Sequence, residues 1–304
     1  MNYEFPVLSV GVIAERELAN FSGGRVIAAF DTSFYVETDT GIICVVGLGQ
    51  GSSPLNISVA VPSGMSWRAG GIDIGVRGRI VAKKLCVGNE FFFPLGHATV
   101  WRAPPPPADV VPRNVEKGLS ALVQVFAERG IEEGLGKFID PVFQPGERNI
   151  IERGAAPAIE KIRRWLVGEF RCYLAICPPC DNMLLYLSGL GPGLTPSGSD
   201  FLGAVMIALN ALKADKLRDC LWSRLLPVLR LMGNPIVAAH LAAAAKGMGA
   251  AALHRMLNAV ISGEVEAIRD LAREIDVVGH SSGWDAMAGF SLVLDAWRQS
   301  LSPN

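Results

Sequence analysis

The sequence predicts an α+β chain in which an N-terminal all-β, barrel-like domain precedes a C-terminal all-α domain. Three observations carry this. Up to Trp101 the chain is built of short β-branched and aromatic runs between Gly, Asn, Asp and Ser turns. The segment "APPPPADVVP", Ala103 to Pro112, then breaks the pattern, because proline cannot continue a helix or an inner strand and favours extended polyproline II. Beyond it, one segment after another carries helix formers at the helical period between Gly or Pro stops. The expected organisation is a β-rich domain over 1–105, a proline-rich linker over 106–112 and a helical domain over 113–304.

The strand runs are, in order, "GRVIAAF", "SFYVET", "GIICVVG", "LNISVAV", "RIVAKKLCV", "NEFFFPL" and "ATVW", each of a length and composition that suits a half-buried pleated surface. The helical segments are "NVEKGLSALVQVFAERG", "APAIEKIRRWLVGEF", "SDFLGAVMIALNAL", "ADKLRDCLWSRLLPVLRLM", "NPIVAAHLAAAAKG", "AALHRMLNAVISG", "VEAIRDLAREI" and "WDAMAGFSLVLDAWRQSL". Two of them, Asp200 to Leu212 and Asp285 to Leu294, are apolar nearly all round, the mark of a helix buried on every side. Whatever stands at their N-termini is therefore expected near the centre of the helical domain.

With 304 residues, half of them hydrophobic, the chain can fill a sizeable core. Its 28 basic and 29 acidic side chains are dispersed and leave a net charge of -1, so no block is suited to a polyphosphate backbone and nucleic acid is not an expected partner. A mean hydropathy of +0.32 suggests surface hidden against another subunit, either a copy of the chain or a different one. Met1 to Phe21 has neither a basic n-region nor a long apolar run, so no signal peptide is expected. The most apolar later stretch, Ile236 to Leu253, is cut by His240, Lys246 and glycines and is too weakly apolar to span a bilayer. A cytoplasmic protein without membrane attachment is the expectation.

The chemistry is expected in two loops. "LSGLGPGLTPSGSDFLGAVMIAL", Leu187 to Leu209, passes from a glycine-rich turn into an apolar helix. Ser197 and Asp200 read as a capping box, but a cap alone does not call for Gly189, Gly191, Gly193 and Gly198. A backbone that must approach a small ligand closely does, and a helix N-terminus adds free N–H donors and a positive dipole end. The device recurs. "HSSGWDAMAGFSLVL" sets Ser282-Gly283-Trp284-Asp285 before a second buried helix, position for position with Ser197-Gly198-Ser199-Asp200. Either both turns are helix caps, or both face one polar cavity. His280, two residues before the second Ser-Gly, can act as an acid, a base or an anion donor near neutral pH. His97, His240 and His254 lie in strand or core-like helical spacing and read as structural.

Other motifs carry less. "GLGQGSSP", Gly47 to Pro54, resembles a phosphate loop, but the strand-like "LNISVAV" follows it where a dinucleotide fingerprint needs a helix. Cys177-Pro-Pro-Cys180 has the spacing of half a zinc site, yet no second ligand pair follows, so a buried loop pair of reduced thiols is the reading. No P-loop, zinc-protease or nucleophile-elbow motif occurs.

"GLGPGLTPSGSDFLGA" and "GHSSGWDAMAG" together resemble the AllH-like family, a bacterial domain whose namesake is one of three subunits of oxamate carbamoyltransferase in allantoin degradation. The likeness runs through most of the chain: a β-rich first third with a Gly-Pro turn and a late Trp, then the glycine loop, then the Ser-Gly-Trp-Asp turn. It implies a carbamoyltransferase subunit of purine catabolism that handles a small anion and works within a multi-subunit complex. Its chemistry would be transfer of a carbamoyl group between carbamoyl phosphate and oxamate, or the reverse phosphorolysis of oxalurate. In that picture Gly191, Gly193, Thr195, Ser197, Gly198 and Ser199 line one side of the substrate. Ser281, Ser282 and Gly283 line the other, and Asp200, His280 and Asp285 are the catalytic groups. The alternative is a non-catalytic assembly or anion-sensing subunit. Two departures bear on this: Ser199 stands where the family carries an acid, and "GNPIVAAH" lacks the hydroxyls that precede the Ala-rich helix. With one carboxylate gone, no metal and no cofactor is expected. Asn234 before Pro235 remains a good helix cap.

Overall fold

The structure, a computed structural model, describes residues 3–47, 49, 51–62, 64–140, 149–172 and 180–301. It divides into two compact units, Met1–Ala103 and Pro104–Asn304. The strand-rich part precedes the helical part, as the alternation and the helical periods require.

The first unit is a ten-stranded sheet of β1 (Tyr3–Glu4), β2 (Val7–Gly11), β3 (Gly24–Ala29), β4 (Ser33–Glu37), β5 (Ile42–Gly47), β6 (Asn56–Val59), β7 (Arg77–Val81), β8 (Lys84–Val87), β9 (Phe91–Pro94) and β10 (Thr99–Trp101). Their spatial order is β1-β9-β8-β7-β3-β4-β5-β6-β2-β10. Only Phe5 and Pro6 separate β1 from β2, yet β1 lies at one end of this order and β2 next to the other. Two linking residues span about 10 Å at most, so the sheet has to curl until its ends approach. The result is a half-barrel whose end strands β1 and β10 remain edges.

Inward residues follow the pleat: Phe34 and Val36 of β4 are buried while their neighbours are half-buried. Trp67 fills the centre, with its ring edge-on to Phe5 at 5.1 Å and to Phe34 at 5.3 Å between centroids. Two details depart from the sequence reading. "RIVAKKLCV" is the hairpin β7–β8, turned by Ala82 and Lys83 at φ +49° and +61°, a primed turn built without the usual Asn or Gly. An eight-residue helix, α1 (Val12–Ala19), follows β2 because the Pro54 carbonyl accepts from the N–H groups of Ile13 and Ala14, 3.0 Å each, and so starts the first turn.

The second unit comprises α2 (Pro112–Arg129), a 3-10 helix (Gly136–Ile139), α3 (Ile150–Cys172), α4 (Asp181–Ser188), α5 (Ser197–Ala211), α6 (Asp215–Met232), α7 (Pro235–Ala244), α8 (Ala251–Ser262), α9 (Val265–Asp276) and α10 (Ser282–Ser300). α4 is the one long enough to matter that the periodicity did not mark. α5 and α10 form the centre. Every residue from Phe201 to Leu209 and from Gly283 to Ala296 is buried, and the two helices pack on each other more extensively than any other pair of elements. Gly289 sets their spacing: a Cβ there would stand 2.4 Å from the Phe201 carbonyl oxygen. Asn234 caps α7 as expected, accepting from the N–H groups of Ile236 and Val237 at 3.1 Å. Among the described residues no helix is long and apolar enough to cross a membrane.

Candidate functional site

α5 and α10 run parallel. Ser197 and Asp200 at the start of α5 meet Ser282 and Asp285 at the start of α10, and farther on Phe201, Ala204 and Val205 meet Gly289. Both SGxD turns therefore lie side by side at one end of the central pair, as the repeated motif suggested.

Their polar groups are exchanged. The expected capping boxes are not formed: Pro196 and Ser281 are the residues preceding the two helices, and neither helix has a side-chain cap. Instead Ser197 of α5 hydrogen-bonds Asp285 of α10, and Ser282 of α10 hydrogen-bonds Asp200 of α5. Asp285 also accepts from Ser281 Oγ at 2.9 Å and from the Leu135 N–H. Asp200 takes a further bond from Thr195, while its Oδ2 is buried without a partner. The serines reach across because the helices stand close enough for each hydroxyl to find a carboxylate, a stronger acceptor–donor pair than a neutral cap.

Burial governs the charge. The Asp285 side chain is fully buried, and desolvation raises its carboxyl to about 6 despite three donors. Asp200 is only partly covered as a residue, but its carboxyl is enclosed. Desolvation first, and then the neighbouring Asp285 charge, holds its proton well above the usual carboxylate range. Among the described residues neither carboxyl is paired with Lys, Arg or His. Two buried carboxyls in electrostatic contact, without a cation, titrate as one pair and retain a proton to higher pH than either would alone. Chemically the pair can store a proton, donate it to an anion or a leaving group, and accept it back.

The glycines in the two turns answer a packing need first. A Cβ on Gly198 would lie 1.8 Å from the Leu187 carbonyl oxygen at the end of α4, and one on Gly283 would lie 2.3 Å from that of Ile275 at the end of α9. Each central helix thus enters by pressing its second residue onto the last turn of the helix before it. Ser199 strengthens the first of these contacts. Its hydroxyl donates to the Ser188 carbonyl at 2.5 Å, so it faces α4 and not the carboxyl pair. Gly191, at φ +120°, lies over Ser197, where a Cβ would be 2.9 Å from Oγ; Gly193 at φ +89° has open space around it.

One wall came from residues that the sequence did not single out. The loop 132–136 brings the Leu135 N–H onto Asp285, and Gly134, at φ +71°, passes so close that a Cβ would be 2.3 Å from Asp285 Oδ1. This loop is fixed by Asn149, whose Nδ2 donates to the Glu132 carbonyl at 2.8 Å. Asn149 and Glu152 form a true capping box at the start of α3, with 2.8 Å bonds in both directions. The local signal was slight: Gly134-Leu135-Gly136 repeats the Gly-Leu-Gly of 189–191.

His280 is not brought to the carboxyls. Its ring is 84% exposed, with Nδ1 2.9 Å from Glu133. His254 is buried, accepts from the Gly249 N–H at 3.0 Å, and is held near a pKa of about 4 by desolvation, as is His240. Cys180 is exposed at the entry to α4, which does not suit a buried pair; Cys177 lies outside the described residues. Among the described residues no group of three His, Cys, Asp or Glu is placed to hold a metal ion.

Residues 187–294 match the family model described as oxamate carbamoyltransferase subunit AllH. The matched span starts at the end of α4 and reaches Leu294 of α10, so it contains both SGxD turns and both central helices. No curated protein and no solved structure matches the chain.

Proposed function

From the AllH-like family assignment supported over residues 187–294, we propose that the chain is a subunit of an oxamate carbamoyltransferase-like enzyme and handles a small carboxylate or carbamoyl anion at the paired SGxD turns. The observation that carries this reading is the crossed pairing of Ser197 with Asp285 and Ser282 with Asp200. It gathers two helix N-termini, four hydroxyls and a proton-retaining carboxyl pair at one place, where a compact anion can be held by donors at fixed positions.

In phosphorolysis of oxalurate, the bond between the carbamoyl carbon and the amide nitrogen breaks as a phosphate oxygen bonds to that carbon, and oxamate leaves with one added proton on nitrogen. The Asp200–Asp285 pair would supply that proton and recover it in the reverse direction. Gly191 and Gly193 would let the backbone approach the substrate carboxylate, and Thr195 and Ser282 would keep Asp200 oriented. Ser199, committed to Ser188, has no part in this picture. His280, exposed beside Glu133, would act only from the rim.

A second reading is favoured by one observation: the serines and acids already satisfy one another, Asp200 Oδ2 excepted. An assembly or anion-sensing subunit would need no more. Transfer of the carbamoyl group from carbamoyl phosphate to oxamate, assayed with the chain alone and with its partner subunits, separates the two. Turnover is expected only in the assembly, slowed by Asp200→Asn in this chain at an undiminished melting temperature. Full activity of an assembly carrying Asp200→Asn would leave the assembly reading alone standing.

A further inference from the structure

We propose that Arg77 and Arg79 form a second anion site, on the sheet of the first unit, that takes the phosphate-type oxyanion of a small molecule.

The antiparallel pairing of β3 with β7 sets Arg25 directly opposite Arg77 and Gly24 opposite Gly78. Residues opposite one another share a sheet face, so the two guanidinium groups project together, a like-charge pair that costs stability when nothing lies between. Arg79 follows two residues along β7 on that same face, about 7 Å farther. The alternate positions Val26 and Gly78 are buried, which fixes the arginines on the outward side. Arg25 is held by Glu37 at 3.0 Å on its other flank. Among the described residues no carboxylate pairs with Arg77 or Arg79.

Beside them is a basin of about 700 Å³. Ser22, Arg77, Arg79 and Asn89 supply its polar side chains, glycines including Gly24, Gly78 and Gly88 complete its lining, and no carboxylate lines it. An adjoining basin of about 480 Å³ shares Arg77 but contains Glu37 and Asp39, so an anion is directed to the first. Two guanidinium forks offer several N–H donors at defined angles, more than a single carboxylate can accept and well matched to a tetrahedral dianion. The basin's size suits a free phosphorylated metabolite rather than an extended chain. This inference does not rest on the reading of the paired turns in the second unit.

The test is titration of the full chain with inorganic phosphate and pyrophosphate by calorimetry at constant ionic strength, with acetate as the control anion. Saturable binding is expected, tighter for pyrophosphate and absent for acetate, and weakened roughly tenfold or more by Arg77→Gln or Arg79→Gln. Both side chains are exposed, so the melting temperature should hold, and Arg16→Gln on α1 should leave the binding intact. No saturable phosphate binding, equal binding of acetate, or phosphate binding indifferent to both arginine substitutions would overturn the proposal. Sedimentation with phosphatidylglycerol vesicles in the absence of free-phosphate binding would assign the patch to a membrane surface and overturn it as well.

Discussion

Ser282, at the first turn of α10, bonds to Asp200 of α5 and not to Asp285 of its own helix. With Ser197 bonded in the opposite sense to Asp285, the two turns are joined by exchange, each hydroxyl serving the acid of the other helix. The first prediction follows directly. In denaturant unfolding, Ser197→Ala combined with Asp285→Asn should show a larger coupling energy than Ser197→Ala combined with Asp200→Asn, by roughly 0.5 kcal/mol or more. Equal couplings, or a larger one within the Ser197–Asp200 turn, would mean that each turn caps its own helix.

Charge predicts a pH profile. Asp285 has its carboxyl raised from 3.8 to about 6 in the folded state, so between these values the native state binds more protons than the unfolded chain. Stability contributed by the protonated form is complete below the unfolded value and is lost as pH rises through about 6; the loss is about 3 kcal/mol by linkage. Asp285→Asn should remove that part of the profile, so that the variant gains on the wild type between pH 4 and 6 in chemical unfolding. An unchanged difference across this range would show that burial does not control the group.

Two histidines of the second unit act with the opposite sign. His240 and His254 are lowered from 6.5 to about 4, so their contribution is present above 6.5 and is lost as pH falls toward 4. His254→Gln should therefore reduce the acid-side loss of stability seen in melts below pH 6.5, while costing stability at neutral pH through the bond from Gly249.

Packing around the turns gives a sharper contrast. Gly198→Ala and Gly283→Ala drive a methyl group into the carbonyls of Leu187 and Ile275, and each should cost about 1–3 kcal/mol or more. Gly203→Ala, in the same α5, meets its neighbours at 3.5 and 3.6 Å and should be neutral or stabilising by up to roughly 1 kcal/mol. Melting temperatures of the three variants decide this, and a Gly198→Ala protein as stable as Gly203→Ala would contradict the close approach.

What could be seen in the sequence was whatever had a period. α5 and α10 stood out as buried helices because apolar residues surround them, and the second Ser-Gly-x-Asp marked their starts as related. The exchange itself was hidden, because which serine meets which acid depends on the distance between two helices, and that distance is set by Gly289 of one helix against Phe201 of the other, a contact with no local pattern. Leu135 was invisible for a similar reason: a backbone N–H has no sequence signature, and it reaches Asp285 across 150 positions. The partner of Ser199 had no local sign either: its hydroxyl donates to the Ser188 carbonyl of α4, eleven positions earlier. α1 is too short to display a helical period, and the β7–β8 turn uses residues that ordinarily avoid positive φ.

In the proposed function the carboxyl pair at the joined turns retains a proton and offers it to a small anion. Calorimetric titration of the full chain with oxamate from pH 5 to pH 8.5 tests it most directly, beside the same titration of Asp200→Asn. Saturable binding is expected, with an affinity that falls as pH rises and the pair loses its proton, and with that dependence flattened in the variant at an undiminished melting temperature. Affinity that rises with pH, a profile identical in the two proteins, or no saturable binding of oxamate would contradict it.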